Sequence, residues 1–262
     1  MKSRIVIALA ACMVWAFAGD GLAKRPVTVD IRGNEAKVSF LEGTAEAMKS
    51  GEQTWTALCA GDLVGPGGEI RTGPDSRMEV LLKDGSILRF ADKTRLKLTA
   101  LAVNEDEGTR EVKVDVLLGR TWANVSRTLG VQSGFEIASE NAVAGARGTV
   151  YRMNVYEDQS ALVRVYDGSV AVSRPPQPVA PPFAPVGPPT KVEGPKPVPG
   201  PTKVSMEEWV FIVKSMQQIR IGADGVAEEP RGFTTAEDKN DWVDWNKERD
   251  ARLEEPPGEP PK

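Results

Sequence analysis

The sequence predicts a mainly β protein, and three observations carry that expectation. Between residues 27 and 173, apolar and polar residues alternate in short runs: AKVSFLEG, RMEVLLKDG, ILRF, RLKLTAL, EVKVDVLLG, TWANV, FEIAS, TVYRMNVY, ALVRVYDG and SVAVS. Each run is rich in Val, Leu and Ile and is bounded by Gly, Asp or Asn, the signature of half-buried strands. No convincing helical periodicity separates the runs, so a sandwich, a barrel or a solenoid-like stack is expected. In RMEVLLKDG, alternation sends Met78, Val80 and Leu82 to the core and leaves Arg77, Glu79 and Lys83 in water. Asp84-Gly85-Ser86 and Asp167-Gly168-Ser169 read as hairpin turns, because glycine takes positive φ at little cost.

The chain opens with MKSR and then IVIALAACMVWAFAG, a positive start followed by about 15 uncharged residues. Residues 1–23 therefore read as a secretory signal peptide. Ala16-Phe17-Ala18 and Gly21-Leu22-Ala23 both suit simple cleavage, the favoured route, whereas Leu9-Ala10-Ala11-Cys12 resembles a lipobox and offers lipidation at Cys12. A retained anchor is a weaker third route, since a span needs roughly 18 to 20 apolar residues. The expected location is the periplasm or the extracellular space. Once the leader is removed Cys59 has no cysteine to pair with in its own chain, and in TALCAGDL it reads as a small buried residue.

After the β body, residues 174–201 contain 12 prolines in 28 positions. Such a chain lacks the amide donors of a central strand or helix and favours extended polyproline II. It is either a free linker, reaching up to ~85 Å at about 3.1 Å per residue, or a strap laid across the β body through Val179, Phe183 and Val186. Residues 202–253 read as a small α-helical C-terminal unit. Ser205 and Glu208 fit a capping box, with Met206, Trp209, Val213 and Met216 on one face of MEEWVFIVKSMQQ. IRIGADG then suggests a short strand and turn. Thr235 with Asp238 would cap a second helix that carries Trp242, Trp245 and Arg249 at helical spacing. Residues 254–262, EEPPGEPPK, read as a disordered tail.

Composition removes several functions. The net charge of -4 comes from 33 basic and 37 acidic residues spread along the chain, without the basic stripe that nucleic acid requires. There is no histidine, so the commonest general base and zinc ligand are missing. The glycines at 61, 65, 67, 68, 73 and 85 lack the order of a nucleotide loop. Asp238, Asp241, Asp244 and Glu248 lack the order of a calcium loop and read as a solvated face. The expectation is a protein that is not an enzyme and holds no cofactor or metal.

Two features admit a binding role. In AVAGARGTVYR, Gly145 and Gly148 let the backbone bend around Arg147, so exposed amides could hold an anion. A strand rather than a helix follows, which favours an arginine folded back onto a carboxylate or loop carbonyls. Among the tryptophans, Trp55 and Trp122 suit the core. Trp242 and Trp245 either dock a helix on the β body or meet a partner or glycan.

Taken together, TWTALCAGDLVGPGGEIRTGPDSRMEVLLKDGSILRF, with Trp55, Gly61, Asp62, Arg71, Thr72, Gly73, Asp84 and Gly85, and the later Gly145-Ala146-Arg147-Gly148-Thr149 followed by VYRMNV and YDGSVAV, resemble the bacterial FecR domain over about residues 34–173. The resemblance implies a periplasmic or cell-envelope β module with a protein partner. In the namesake regulator such a domain senses an outer-membrane transporter and signals through a membrane span to a cytosolic sigma factor. Only residues 1–4 precede the hydrophobic segment here, so a secreted module without the cytosolic region is expected. Protein–protein interaction is the leading expectation. Binding of peptidoglycan or another polysaccharide is one alternative, and transmembrane signalling through a retained anchor is the other.

Overall fold

The computed structural model describes residues 31–32, 34–127, 133–176 and 209–254. The expected signal peptide with Cys12, residues 177–201 of the proline-rich region, residues 202–208 with the capping-box pair Ser205 and Glu208, and the tail from 255 onward lie outside the described residues. The predicted β class is correct: β-strands dominate, with one helix near the C-terminus.

The strands form one continuous sheet folded into two layers. Layer A runs in the order β4 (Leu63–Val64), β1 (Ala36–Glu42), β6 (Arg77–Leu81), β7 (Ile87–Phe90), the end of β9 (Thr109–Asn124), β12 (Val150–Val155), β13 (Ala161–Asp167), β16 (Gln217–Ile221) and β17 (Arg231–Gly232). Layer B runs β3 (Thr56–Ala57), β2 (Ala45–Met48), β5 (Glu69–Thr72), β8 (Arg95–Asn104), the start of β9, β10 (Ser133–Ala138), β11 (Val143–Ala146), β14 (Ser169–Ser173) and β15 (Val210–Lys214). Neighbours are antiparallel except β9 and β10, which run parallel.

Each layer A strand from β1 to β16 continues around a corner into a layer B strand, so the body is a stack of bent rungs. The corners share one property. The chain turns at Gly43 (φ 78°), Asp75 (φ 48°), Lys93 (φ 51°), Gly119 (φ 108°), Gly148 (φ 59°), Gly168 (φ 84°) and Met216 (φ 59°), all in the left-handed region. Gly119 shows why the row favours glycine: a Cβ there would lie 2.4 Å from Thr94 Oγ1 and 2.6 Å from Thr94 Cα in the adjacent corner. Between the layers the inner residues, among them Val38, Val80, Leu96, Val114, Tyr151, Val163 and Val172, form one buried cluster. Burial pushes the Tyr151 phenol up, because an anion there would lose its hydration.

Several expectations need correction. Asp84-Gly85-Ser86 does close the β6–β7 hairpin, but Asp167-Gly168-Ser169 is a corner that carries the chain from layer A to layer B. The segment predicted as a helix over MEEWVFIVKSMQQ contains β15 and β16, joined at Met216. The run VFIV is β-branched and aromatic, and pairing along β14 decides it in favour of a strand. The second helix exists as α1 (Asp241–Glu254). Its cap is Asn240, whose Oδ1 accepts from Val243 N–H at 3.1 Å. Thr234 and Glu237 instead exchange reciprocal bonds, Thr234 N–H to Glu237 Oε2 at 2.7 Å and Glu237 N–H to Thr234 Oγ1 at 3.3 Å, and so close the preceding turn. Cys59 is exposed rather than buried, because it sits in a turn outside the strands.

Candidate functional site

The residues that carry the motif pattern build the corners. Thr72, buried at the end of β5, donates from Oγ1 to Ala91 O at 2.6 Å and accepts from Thr94 N–H at 2.9 Å. Gly73 N–H donates to Thr44 O at 2.8 Å, and a Cβ on Gly73 would stand 2.1 Å from Thr44 Oγ1. Across the molecule Thr149 repeats the device. Its Oγ1 lies 2.9 Å from Ser169 O and 3.1 Å from Arg147 O, stitching the Gly148 corner to the Gly168 corner. A threonine that follows or precedes a left-handed turn satisfies backbone groups of the next rung that would otherwise be buried unpaired.

At the far end of layer A, the buried Asp84 carboxylate accepts from Ser86 N–H at 3.0 Å, Ser86 Oγ at 2.8 Å and Arg110 Nη1 at 2.5 Å. Ser86 Oγ also accepts from Ser126 N–H at 3.0 Å, and Gly85 makes the turn at φ 80°. Arg110 is therefore an internal brace that the sequence pattern did not single out.

The remaining motif residues are at the surface. Gly61 turns at φ 103° and bonds to Val38 O at 2.8 Å, and Asp62 accepts from Cys59 N–H at 2.7 Å. Trp55 is half-buried rather than core, with the Arg71 guanidinium 4.1 Å from its ring centre. Arg71 also pairs with Glu46 at 2.6 Å. Gly145 lies in extended β11, and only Gly148 is left-handed. Arg147 is exposed. Arg127 folds back over this turn, donating from Nε to Gly148 O at 3.1 Å and pairing with Asp167 at 2.5 Å.

The largest departure concerns the outer face of layer A. One register row crosses it: Phe40, Glu79, Arg89, Trp122, Arg152, Arg164, Gln218 and Arg231. Glu79, expected in water, is buried, because α1 and the turn before it lie on this row. Arg89, fully buried, pairs with Glu79 and Asp250, both at 2.7 Å, and Trp122 Nε1 donates to Asp250 at 2.9 Å. Arg249 adds a fork to Glu79 at 2.8 and 2.9 Å. Burial by itself would raise the Glu79 carboxyl, but hydrogen bonds from Arg249, Arg89 and Ser39 outweigh it and hold the group at about 2.

Asp238 also belongs to this layer. The carboxylate is buried, contrary to the solvated face expected, and accepts from Arg152, Arg164 and, at 2.5 Å, Tyr166 OH. Trp242 is buried beside Ala91, Trp122 and Val243, and Trp245 stacks on it at 5.4 Å while meeting Phe40 at 5.6 Å. Both candidate interaction tryptophans thus hold α1 on the sheet. The missed residues did leave a trace: MEVL, ILRF, VYRM and LVRV each carry one charge inside an apolar run.

Two clefts remain. One, of about 600 Å³, lies beside the start of α1 and is lined by Glu42, Asp75, Asp92 and Asp241 together with Arg77 and Arg120. Asp92 there is paired with Arg120 at 2.5 Å, so the cleft presents mixed rather than single-sign charge. The other, of about 630 Å³, opens at the β3–β4 edge between Met48, Leu58, Leu63 and Ile70. Among the described residues no group of His, Cys, Asp or Glu is placed to hold a metal ion, and no helix is long and apolar enough to cross a membrane.

Fold and motif together define a two-layer β module whose buried motif residues Thr72, Asp84 and Thr149 bond to neighbouring rungs. Residues 68–171 match the family model described as FecR protein, so this part of the chain is similar to that family. The match includes Arg71, Thr72, Gly73, Asp84, Gly85 and the Gly145–Thr149 motif, while Trp55, Gly61 and Asp62 precede it. Among solved structures, two crystal structures from Parabacteroides distasonis, at 1.65 and 2.50 Å, are similar and are described as a "putative anti-sigma factor". In each the identity is 17%, the TM-score 0.42, and the match covers 63% of this chain and 59% of that one. This chain thus spans well under two thirds of their length. No curated protein matches it.

Proposed function

We propose that the protein is a non-catalytic FecR-type regulatory or scaffolding module of the bacterial cell envelope that acts by binding another protein. The observation that carries this reading is where the motif side chains point. Thr72, Thr149 and Asp84 bond to the backbone and side chains of neighbouring rungs, so the pattern maintains a rigid sheet instead of presenting a reactive group. Rigid sheet faces and edges are surfaces that protein partners use. The signal-peptide-like pattern of residues 1–23 and the family resemblance support a location in the periplasm or outside the cell.

The test is photocrosslinking in living cells from positions on each surface. A crosslinking residue at Lys97 or Ala171, on the outer face of layer B, is expected to capture a discrete protein that the same residue at Glu248, on the exposed side of α1, does not. Adducts that form equally from all three positions would defeat the reading. Peptidoglycan binding would instead appear as co-sedimentation with purified sacculi that Trp55→Ala abolishes. A signalling role requires an intact N-terminal anchor, which mass spectrometry of the mature N-terminus detects.

A further inference from the structure

The outer face of layer A carries a second row, two residues along each strand toward the Gly119 corner. Arg120, Asn154, Leu162 and Arg220 stand there in register on β9, β12, β13 and β16. A cleft of about 680 Å³ opens on this row, between the Gly119 corner and the turn that joins β12 to β13. Each strand and turn that lines it is described from end to end. Asn154 lines it and is only 6% exposed. Its Oδ1 accepts from Arg152 Nη1 at 3.4 Å, which assigns the amide, because the reverse orientation would set donor against donor. Nδ2 is then a donor without an acceptor among the described residues, and a buried polar group in that state calls for a partner. The other polar groups are sorted by type. Arg120 gives Nη2 to Asp92 at 2.5 Å and keeps its remaining N–H groups, and Arg220 is exposed. Acceptors come from the turn, where Glu157 and Asp158 are exposed. Ser160 N–H and Oγ donate to Asp158 Oδ1 at 2.9 and 2.6 Å, so Oδ2 stays open. Tyr156 N–H donates to Ser160 O at 3.0 Å and Gln159 N–H to Tyr156 O at 2.9 Å, so the turn is held in place before any ligand arrives.

We infer that this cleft binds a neutral saccharide. Guanidinium and amide N–H groups only donate, and carboxylates only accept. A simple anion would suit Asn154, Arg120 and Arg220 but be repelled by Glu157 and Asp158, and a simple cation would meet the reverse. Hydroxyl groups both donate and accept, so a ring that carries several of them satisfies both sets without a charge of its own. A free amino acid also carries both signs, but within a few bonds. Arg120 and Arg220 stem from positions three strands apart, about 14 Å, which suits a longer ligand. The Tyr156 ring, 39% exposed at the rim, offers an apolar face to the C–H side of a sugar ring. The site lies on layer A, apart from the layer B surface proposed for a protein partner and from Trp55.

Calorimetric titration of the full chain with the trisaccharide of N-acetylglucosamine tests this, together with NMR of the side-chain amides. Saturable binding is expected, with a shift of the Asn154 amide signal. Asn154→Asp, which exchanges the donor for an acceptor, should weaken binding by about tenfold. Tyr156→Ala should weaken it by about threefold or more, with an unchanged thermal melt because the ring lies at the rim. Trp55→Ala should leave it intact. Tighter binding of the trisaccharide than of the single sugar identifies a glycan chain as the source, and equal binding identifies a free sugar. No binding of either up to about 10 mM, or free glycine bound as tightly as the trisaccharide, overturns the inference. Binding that Asn154→Asp and Tyr156→Ala leave unchanged, or that Trp55→Ala abolishes, overturns the assignment to this cleft.

Discussion

The outer faces of the two layers are built alike and end differently. Layer A carries the row Phe40, Glu79, Arg89, Trp122, Arg152, Arg164, Gln218, Arg231. Layer B carries Met48, Glu69, Lys97, Asp115, Ala138, Val143, Ser173, Val210 in an equivalent run of register. Both rows alternate with core residues. Apart from the exposed Arg231, the charges of the first are covered by α1 and the turn before it and paired among Glu79, Asp238 and Asp250, and those of the second remain at least partly in water. A polar position in a β-strand is thus outward-facing by its local pattern, but wet or dry according to what a distant segment does. The difference also bears on stability. Ion pairs in water contribute little, whereas removing one partner of a buried set leaves uncompensated charge.

The largest expected effect comes from the buried set. Asp238→Ala deprives Arg152, Arg164 and Tyr166 of their shared acceptor and should cost about 3 to 5 kcal/mol in urea unfolding. A loss below about 1 kcal/mol would make the covered face energetically equivalent to the bare one.

Glu79 gives layer A a pH dependence. Its folded value of about 2 lies below the ordinary 4.5, so its contribution is fully present above about 4.5 and is lost as pH falls toward 2. By linkage this amounts to roughly 3 kcal/mol at most. The stability difference between the wild type and Glu79→Gln, measured from pH 6 down, should therefore shrink through that window. A flat difference would sever Glu79 from its arginines.

Smaller effects are expected at the corners common to both layers. Gly148→Ala must hold a left-handed residue at φ 59° and displace Arg127, whose Cγ would be 2.2 Å from the new Cβ, and should cost about 1 to 2 kcal/mol. Gly145→Ala, in extended β11 with its nearest neighbour at 3.8 Å, should be neutral or stabilise by about 0.5 kcal/mol. Thermal unfolding of the pair distinguishes a motif glycine kept for its backbone from one that is not. The smallest effect belongs to the bare face: Arg71→Ala, which breaks an exposed pair with Glu46, should change stability by less than about 1 kcal/mol.

Much of the fold could be read from residue patterns because its signals are local. Alternation in runs such as TVYRMNVY and ALVRVYDG gave the strands, and glycine or aspartate at their ends gave the turns. The helix around Trp242 and Trp245 was legible from spacing. The segment around Val213 was not, since its i, i+3, i+7 spacing fits a helix while its VFIV run fits a strand, and only the neighbouring β14 settles the conflict. At the Gly148 turn the pattern pointed to Arg147, and a second cation, Arg127, reaches the same turn from just past the end of β9 without any local signal in the motif.

By itself the sequence determined the β class, turns at Gly85 and Gly168, the family pattern and the tryptophan face of α1, because each depends on residues within a turn or a few strand positions. Tertiary structure decided that the two DGS turns have different tasks, that Glu79 and Asp238 are buried, and that, among the described residues, a helix covers layer A and none covers layer B. Those outcomes depend on pairings between residues such as Arg89 and Asp250 or Arg152 and Asp238, which are remote along the chain. No local periodicity encodes such pairings, since they arise only when the folded rungs set one row of side chains beneath the C-terminal segment.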